Sequence, residues 1–326
     1  MDLVSIIIPA YNAQDWVVSA LASAVSQTHE NIEIVLIDDA STDNTEQIAK
    51  SFLEENGCRY QYIRFEANSG VCASRNTGIA SCSGSFVLFL DCDDLLHPDC
   101  ARILLGVLRE RGDAVCAFGR SVLIDKDDNV DLIRLKRKLK DKKGGAVRVY
   151  SPADVAERNP VGLGSGVLVR KSLLSKVEFS QRMSKLRLEG AGDWMFYFDL
   201  SMRGDLVGVG NILVGYRQHD GRRISDDVMK MIKSIEIFED EVIKTGEIYS
   251  RNLKHASLIS VRYLLGRVAK SGDLRLLVPL YKFTSKYGFD NAVKFTAHIV
   301  LRFAKGVFSG DKNGEKISFY CTEKLE

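Results

Sequence analysis

Three short runs, VSIII (Val4–Ile8), IEIVLI (Ile32–Ile37) and FVLFL (Phe86–Leu90), are apolar at nearly every position rather than at every second one. A strand built this way has no solvent face, so it belongs inside a sheet that is covered on both surfaces. The intervening segments Asp15–Val25, Asn44–Glu55 and Val71–Ala80 read as helices, and Tyr60–Phe65 reads as one more strand. The order β-α-β-α-β-α-β predicts an α/β fold with a Rossmann-like, mostly parallel sheet and flanking helices.

Composition narrows the class. Apolar residues are 45% of the 326 and charged residues 27%, as in ordinary globular proteins. A formal net charge of +2 gives no whole-chain signature of a nucleic-acid binder, so none is expected as a partner. The seven cysteines are odd in number and lack C-x-x-C spacing, which argues against a disulfide framework or a zinc site and for a reducing compartment. No basic start with an apolar h-region is present, and no apolar run approaches the ~18–20 residues that span a bilayer. The expected location is cytoplasmic.

In parallel sheets, ligands collect beyond the carboxyl ends of the strands. After the first strand come Pro9, Ala10, Tyr11 and Asn12, after the second the carboxylates Asp38 and Asp39, and after the fourth Asp91, Cys92, Asp93 and Asp94. On an extended strand end, Asp91 and Asp93 would share one side while Asp94 faces elsewhere. Such a pair suits a hard or borderline cation, Mn²⁺ or Mg²⁺; an acidic turn before the helix at Pro98 is the plainer alternative. In "DDASTDNTEQIAK" the spacing of Asp43 and Glu46 predicts a capping box.

Past the acidic cluster, a helix over 99–109 and a strand over 114–118 are expected, while 120–160 resists assignment. That stretch contains "RLKRKLKDKKGG", with seven Lys or Arg at 134–143, read either as a solvated loop or as a contact for a polyanion or membrane surface. From 226 to about 308 the apolar spacing turns helical, which predicts a helical C-terminal appendage. Its segment "VKFTAHIVLRFAKGVF" fits either core packing or peripheral contact with an anionic membrane face.

The motifs P-A-Y-N, D-D-A-S-T-D, N-x-G-x-x-x-x-R-N-x-G and D-x-D, in register over about the first hundred residues, closely resemble those of family 2 glycosyltransferases of the GT-A fold. The resemblance implies a metal-dependent, inverting transfer of a hexose or N-acetylhexosamine from a nucleotide-sugar donor, a UDP-sugar by preference, to a saccharide or lipid-linked acceptor. Surface-polysaccharide synthesis is the implied setting. It assigns Pro9, Ala10, Tyr11, Asn12, Asp38, Asp39, Asn68, Gly70, Arg75, Asp91, Cys92 and Asp93 to the nucleotide sugar, and Asp93 and Asp91 also to the metal. "LEGAGDWMFYFDL" matches the family's E-D pair with Gly192 in place of Glu and with Asp193 as the base; capping of the helix from Trp194 is the alternative. "GYRQHDGRRIS" matches a Y-R-x-H segment and implies His219 as a metal ligand, with Arg222 and Arg223 bracing the diphosphate. Gly162, Gly164 and Gly166 fall where family members line the acceptor side.

The resulting plan is a catalytic domain over 1–225, divided into a donor half at 1–118 and an acceptor half at 119–225, with a mainly helical region at 226–326. Peripheral attachment to the inner membrane face and a homo-oligomer are both compatible with it. The rival readings are a non-catalytic nucleotide-sugar-binding protein and a metal-dependent nucleotidyltransferase.

Overall fold

The structure, a computed structural model, describes residues 2–131, 135, 147–218, 227–246, 275, 279, 281–283 and 316–318. In chain order its opening elements are β1 (Val4–Ala10), α1 (Val17–Val25), β2 (Ile32–Asp38), α2 (Thr45–Glu55), β3 (Tyr60–Arg64), α3 (Val71–Ser81) and β4 (Phe86–Phe89). β5 (Leu95–Leu96), α4 (Cys100–Glu110), β6 (Ala114–Ile124), β7 (Asn129–Asp131), β8 (Arg148–Tyr150), α5 (Pro152–Glu157) and β9 (Val167–Arg170) follow. Then come α6 (Gln181–Leu186), α7 (Gly192–Ser201), β10 (Asp205–Arg217), α8 (Val228–Thr245) and β11 (Lys316–Ser318).

The first four strands pair in parallel in the order β3-β2-β1-β4, as expected. All seven residues of β1 are buried. Alternate side chains feed two different cores: Ile7, Val35, Ile37, Val87 and Phe89 pack on one face with α3 and α7, and Ile6, Ile8, Ile34, Leu36 and Leu88 pack on the other with α1, α2 and α4. Burial on both faces is the physical origin of the continuous apolar runs.

Beyond β4 the sheet changes character. β9 inserts antiparallel between β4 and β6, and β10 then runs parallel to β6. The region 120–160 that resists sequence assignment holds the far end of β6, which extends to Ile124, and the three-residue strands β7 and β8. β6 crosses the 118/119 junction, so segments 1–118 and 119–225 share one sheet.

The expected capping box at α2 does not form, because the N-cap is Asn44, which makes no side-chain capping bond. Asp43, one residue earlier, accepts from the Thr45 N–H at 3.0 Å, and Glu46 turns to Lys50 at 2.7 Å and Arg64 at 3.3 Å, since opposite charges lie within reach. Of the C-terminal region, α8 is the helix expected there, and its Phe238 stacks on Trp194 of α7 at 4.4 Å. Most of the rest of 226–326, and nearly all of the basic stretch 134–145, lies outside the described residues. No helix among the described residues is long and apolar enough to cross a membrane.

Candidate active site

Because β1, β2 and β4 are parallel, their carboxyl ends open on the same edge of the sheet, and α3 and α7 bring Arg75 and Asp193 to it. Arg75 is the centre of the arrangement. Only 3% exposed, its guanidinium donates to Asp91 Oδ1 at 2.6 Å through Nη2 and to Asp193 Oδ1 through Nη1, while its buried Nε has no hydrogen-bond partner among the described residues. An aromatic floor lies beneath it. The guanidinium carbon stands 5.1 Å from the Phe179 ring, which stacks on Phe196 at 4.0 Å with Phe89 edge-on to both.

Burial pushes the Asp193 carboxyl up and the Arg75 charge pulls it back, leaving a net rise. Its helix starts at Gly192, so Asp193 sits within the first turn, and its carboxylate binds Arg75 instead of capping the helix. A side chain at 192 would begin 2.8 Å from Cys72 Sγ, so glycine lets α7 lie flush on α3 without the Cys72 side chain having to shift.

The acidic segment is a turn rather than a strand end. The Asp94 N–H donates to the Asp91 carbonyl at 3.0 Å, which swings Asp94 inward. Asp94 is 1% exposed and accepts from Ser165 Oγ at 2.6 Å and from the Arg217 N–H at 3.1 Å. Burial first, then the charges of Asp93 and Asp91, push its carboxyl well above the usual range. Arg217, 1% exposed, holds the turn from below by donating from Nε to the Asp93 carbonyl at 2.8 Å. Gly164 closes the other side, where a Cβ would lie 2.0 Å from Arg75 Nη2 and 2.8 Å from Asp91 Oδ2.

At the carboxyl ends of β1 and β2, Pro9 and Ala10 are buried in β1, whereas Tyr11 is 49% exposed at the rim. Asn12 adopts φ 49° and accepts from the Thr42 N–H at 2.8 Å. Asp38 is fully buried. Burial works against its charge, but Ser41, Tyr62 and Arg64 outweigh it and hold the carboxyl below the usual range. Asp39 receives the Ser69 and Gly70 N–H groups at 2.5 and 2.8 Å, which pins the loop before α3; burial nevertheless pushes its carboxyl up. Asn68 is gripped by Arg187, Nη1 to Oδ1 at 2.6 Å. Cys92 lies half-buried within the turn, its thiol pushed well up by burial.

His219, Arg222 and Arg223 lie outside the described residues. Three site residues escape sequence reasoning: Ser165, Arg217 and Glu189. Glu189 accepts from the Val71 and Cys72 N–H groups at 3.2 and 3.0 Å. Each sits within a segment singled out for another residue, and only the fold shows what it bonds. Among the described residues no three His, Cys, Asp or Glu side chains converge as a metal cluster. Asp91 and Asp93 are nonetheless oxygen donors of the kind a hard cation takes, held in one turn.

The glycosyl transferase family 2 model matches residues 5–157. Chondroitin synthase of Escherichia coli is 35% identical over 132 residues, 40% of this chain and 19% of that protein. TuaG of Bacillus subtilis, named for teichuronic acid biosynthesis, is 33% identical over 129 residues, 40% of this chain and 51% of that one. The matched stretch thus spans under a fifth of the larger relatives, 17% in a Rickettsia felis glycosyltransferase. Among solved structures, Staphylococcus aureus TarS 1-349 in complex with UDP-GlcNAc superposes with a TM-score of 0.61 at 16% identity, over 93% of this chain and 87% of that one. The mannosyltransferase PcManGT of Pyrobaculum calidifontis, in complex with GDP-Man and Mn²⁺, gives 0.61 at 15% identity over 95% and 88%. Residues 5–157 thus match the glycosyl transferase family 2 model, and the fold around them is the GT-A type of these neighbours.

Proposed function

We propose that this chain is an inverting glycosyltransferase that moves a sugar from a nucleotide diphosphate, a UDP-sugar by preference, to a saccharide or lipid-linked hydroxyl in surface-polysaccharide synthesis. The observation that carries the reading is the single buried guanidinium of Arg75 holding Asp91, on the donor side, and Asp193, on the facing helix. The family match, the UDP-GlcNAc and GDP-Man bound to the structural neighbours and the polysaccharide names of the relatives support it.

In this reading Asp193 accepts the acceptor's hydroxyl proton as the oxygen bonds to the anomeric carbon, and the bond from that carbon to the diphosphate oxygen breaks on the opposite face. A carboxyl raised by burial is the better base for that step. Asp39 and the loop at Asn68–Gly70 shape the donor pocket, with Tyr11 at its rim. Asp91 and Asp93, with His219, would hold Mn²⁺ or Mg²⁺, whose charge stabilises a departing diphosphate.

The test is thermal stabilisation by a panel of nucleotides and nucleotide sugars, each with Mn²⁺ and with EDTA. UDP or one UDP-sugar should raise the melting temperature only with metal. Asp193→Asn should keep that shift and lose transfer by roughly 10²- to 10⁴-fold, whereas Asp93→Ala should lose the shift itself. If no nucleotide stabilises the chain, the reading fails.

A further inference from the structure

We propose that Glu189 is a positioning residue for Asp193, fixing the base against α3 so that it faces the acceptor. The inference rests on the glycosyltransferase reading above.

α3 starts at Gly70, with φ 91° and no side chain to cap it. Its first two free N–H groups, of Val71 and Cys72, are taken instead by the two carboxylate oxygens of Glu189, a residue 117 or more positions downstream. The carboxylate lies so close that a Cβ on Gly70 would stand 2.4 Å from Glu189 Oε1. A carboxylate is the favoured partner at that end of a helix, because unsatisfied N–H groups and the helix dipole both point toward it.

Glu189 opens a one-turn 3₁₀ segment, Glu189–Ala191, that runs directly into α7. Asp193 follows four residues later and returns to α3 through Arg75, one helical turn beyond Val71 and Cys72. The two links close a ring: Glu189 to the start of α3, along α3 to Arg75, across to Asp193, and back along the backbone to Glu189. With both links in place, Asp193 has one orientation relative to Arg75 and Asp91. Without the Glu189 link, the polar tie of the first turn of α7 to α3 among the described residues is the Arg75 pair, with the packing of Gly192 on Cys72 beside it and Ser234 still receiving the Ala191 N–H at 2.8 Å. Misplacing a catalytic group by about 1 Å costs on the order of 100-fold in rate.

The experiment uses the full chain with Glu189→Ala and Glu189→Gln, reading kcat and KM for the UDP-sugar and acceptor with Mn²⁺, and UDP–Mn²⁺ affinity by calorimetry. Glu189→Ala should lower kcat at least tenfold with UDP affinity within threefold of the parent. Glu189→Gln keeps one acceptor oxygen for one N–H and should recover part of that loss. Glu33→Gln, at the amino end of β2 and far from the site, is the control for lost stability and should leave kcat unchanged. If Glu189→Ala does not fold, the kcat of Glu189→Gln decides. A kcat within twofold of the parent overturns the proposal and leaves the glycosyltransferase reading intact. UDP affinity falling in step with kcat also overturns it, since Glu189 would then act through the donor loop. Absence of transfer by the parent chain overturns the underlying reading and this proposal with it.

Discussion

Replacing Arg217 by methionine tests the support of the acidic turn. The two side chains have similar length, so the change strips polar contacts without opening a large cavity. Arg217 donates from Nε to the Asp93 carbonyl at 2.8 Å and from Nη1 to the carbonyls of Asp125 at 3.0 Å and Lys126 at 3.2 Å; it also pairs with Asp128 and lies 4.8 Å from the Trp16 ring. A hydrogen bond from a charged donor is worth about 1.5–3 kcal/mol. Lys126 is exposed and the Asp128 side chain is 30% exposed, so water can replace much of what those two lose. The bonds to Asp93 and Asp125 are then the uncompensated losses, about 3–6 kcal/mol together, and methionine packing returns roughly 1 kcal/mol. The expected net loss is about 2–5 kcal/mol by urea denaturation, or a melting temperature lower by roughly 4–20 °C. Arg217→Lys should recover little of it, since one ammonium cannot serve three divergent carbonyls and a carboxylate. UDP–Mn²⁺ affinity should fall in both variants as the Asp91–Asp94 turn loosens. A loss below about 1 kcal/mol with normal nucleotide binding would refute the claim that this buried cation holds the turn.

Gly164→Ala should reduce transfer with only about 1–3 kcal/mol of destabilisation, because its Cβ would meet Arg75 Nη2 at 2.0 Å and Arg75 is fixed by two carboxylates; unchanged kcat would show that the guanidinium can move aside. Burial, reinforced by Glu241, pushes the Asp199 carboxyl up to about 6. A carboxyl raised on folding favours the native state below its unfolded value near 4, and that contribution is lost as the pH rises through about 6. Asp199→Asn should therefore stabilise the chain above pH 6 by up to about 3 kcal/mol and do nothing below pH 4; equal effects at both pH values in chemical denaturation would contradict the assignment.

The donor half was legible because its signals are local. An apolar run such as Val4–Ile8 declares a buried strand, and the polar residues at its end declare the working edge. The other half was not, because its determinants are pairings over long separations. Ser165 meets Asp94 across 71 residues, Glu189 meets Cys72 across 117, and Arg217 meets Asp93 across 124. None of these contacts leaves a periodic trace. Where local logic did mislead, tertiary partners outcompeted it: Glu46 found Lys50 and Arg64 instead of its helix end, and the Asp91–Asp94 segment turned because Ser165 and Arg217 receive Asp94 inside. Gly192, which departs from the base motif, also meets a packing constraint, since a Cβ there would lie 2.8 Å from Cys72 Sγ.

The antiparallel insertion of β9 has a consequence for how the protein is made. Phe86–Phe89 pairs on one side with β1, which precedes it, and on the other with Val167–Arg170, synthesised about 80 residues later. At ~5–20 residues per second, the outer edge of four consecutive apolar residues waits roughly 4–16 s for its partner while the chain leaves the ribosome. An unpaired apolar strand edge is a template for the wrong neighbour, so the nascent protein passes through a sticky interval between the completion of β4 and the arrival of β9. Slowed translation between positions 90 and 170 should lengthen that interval and raise the insoluble fraction, independently of the stability of the finished fold.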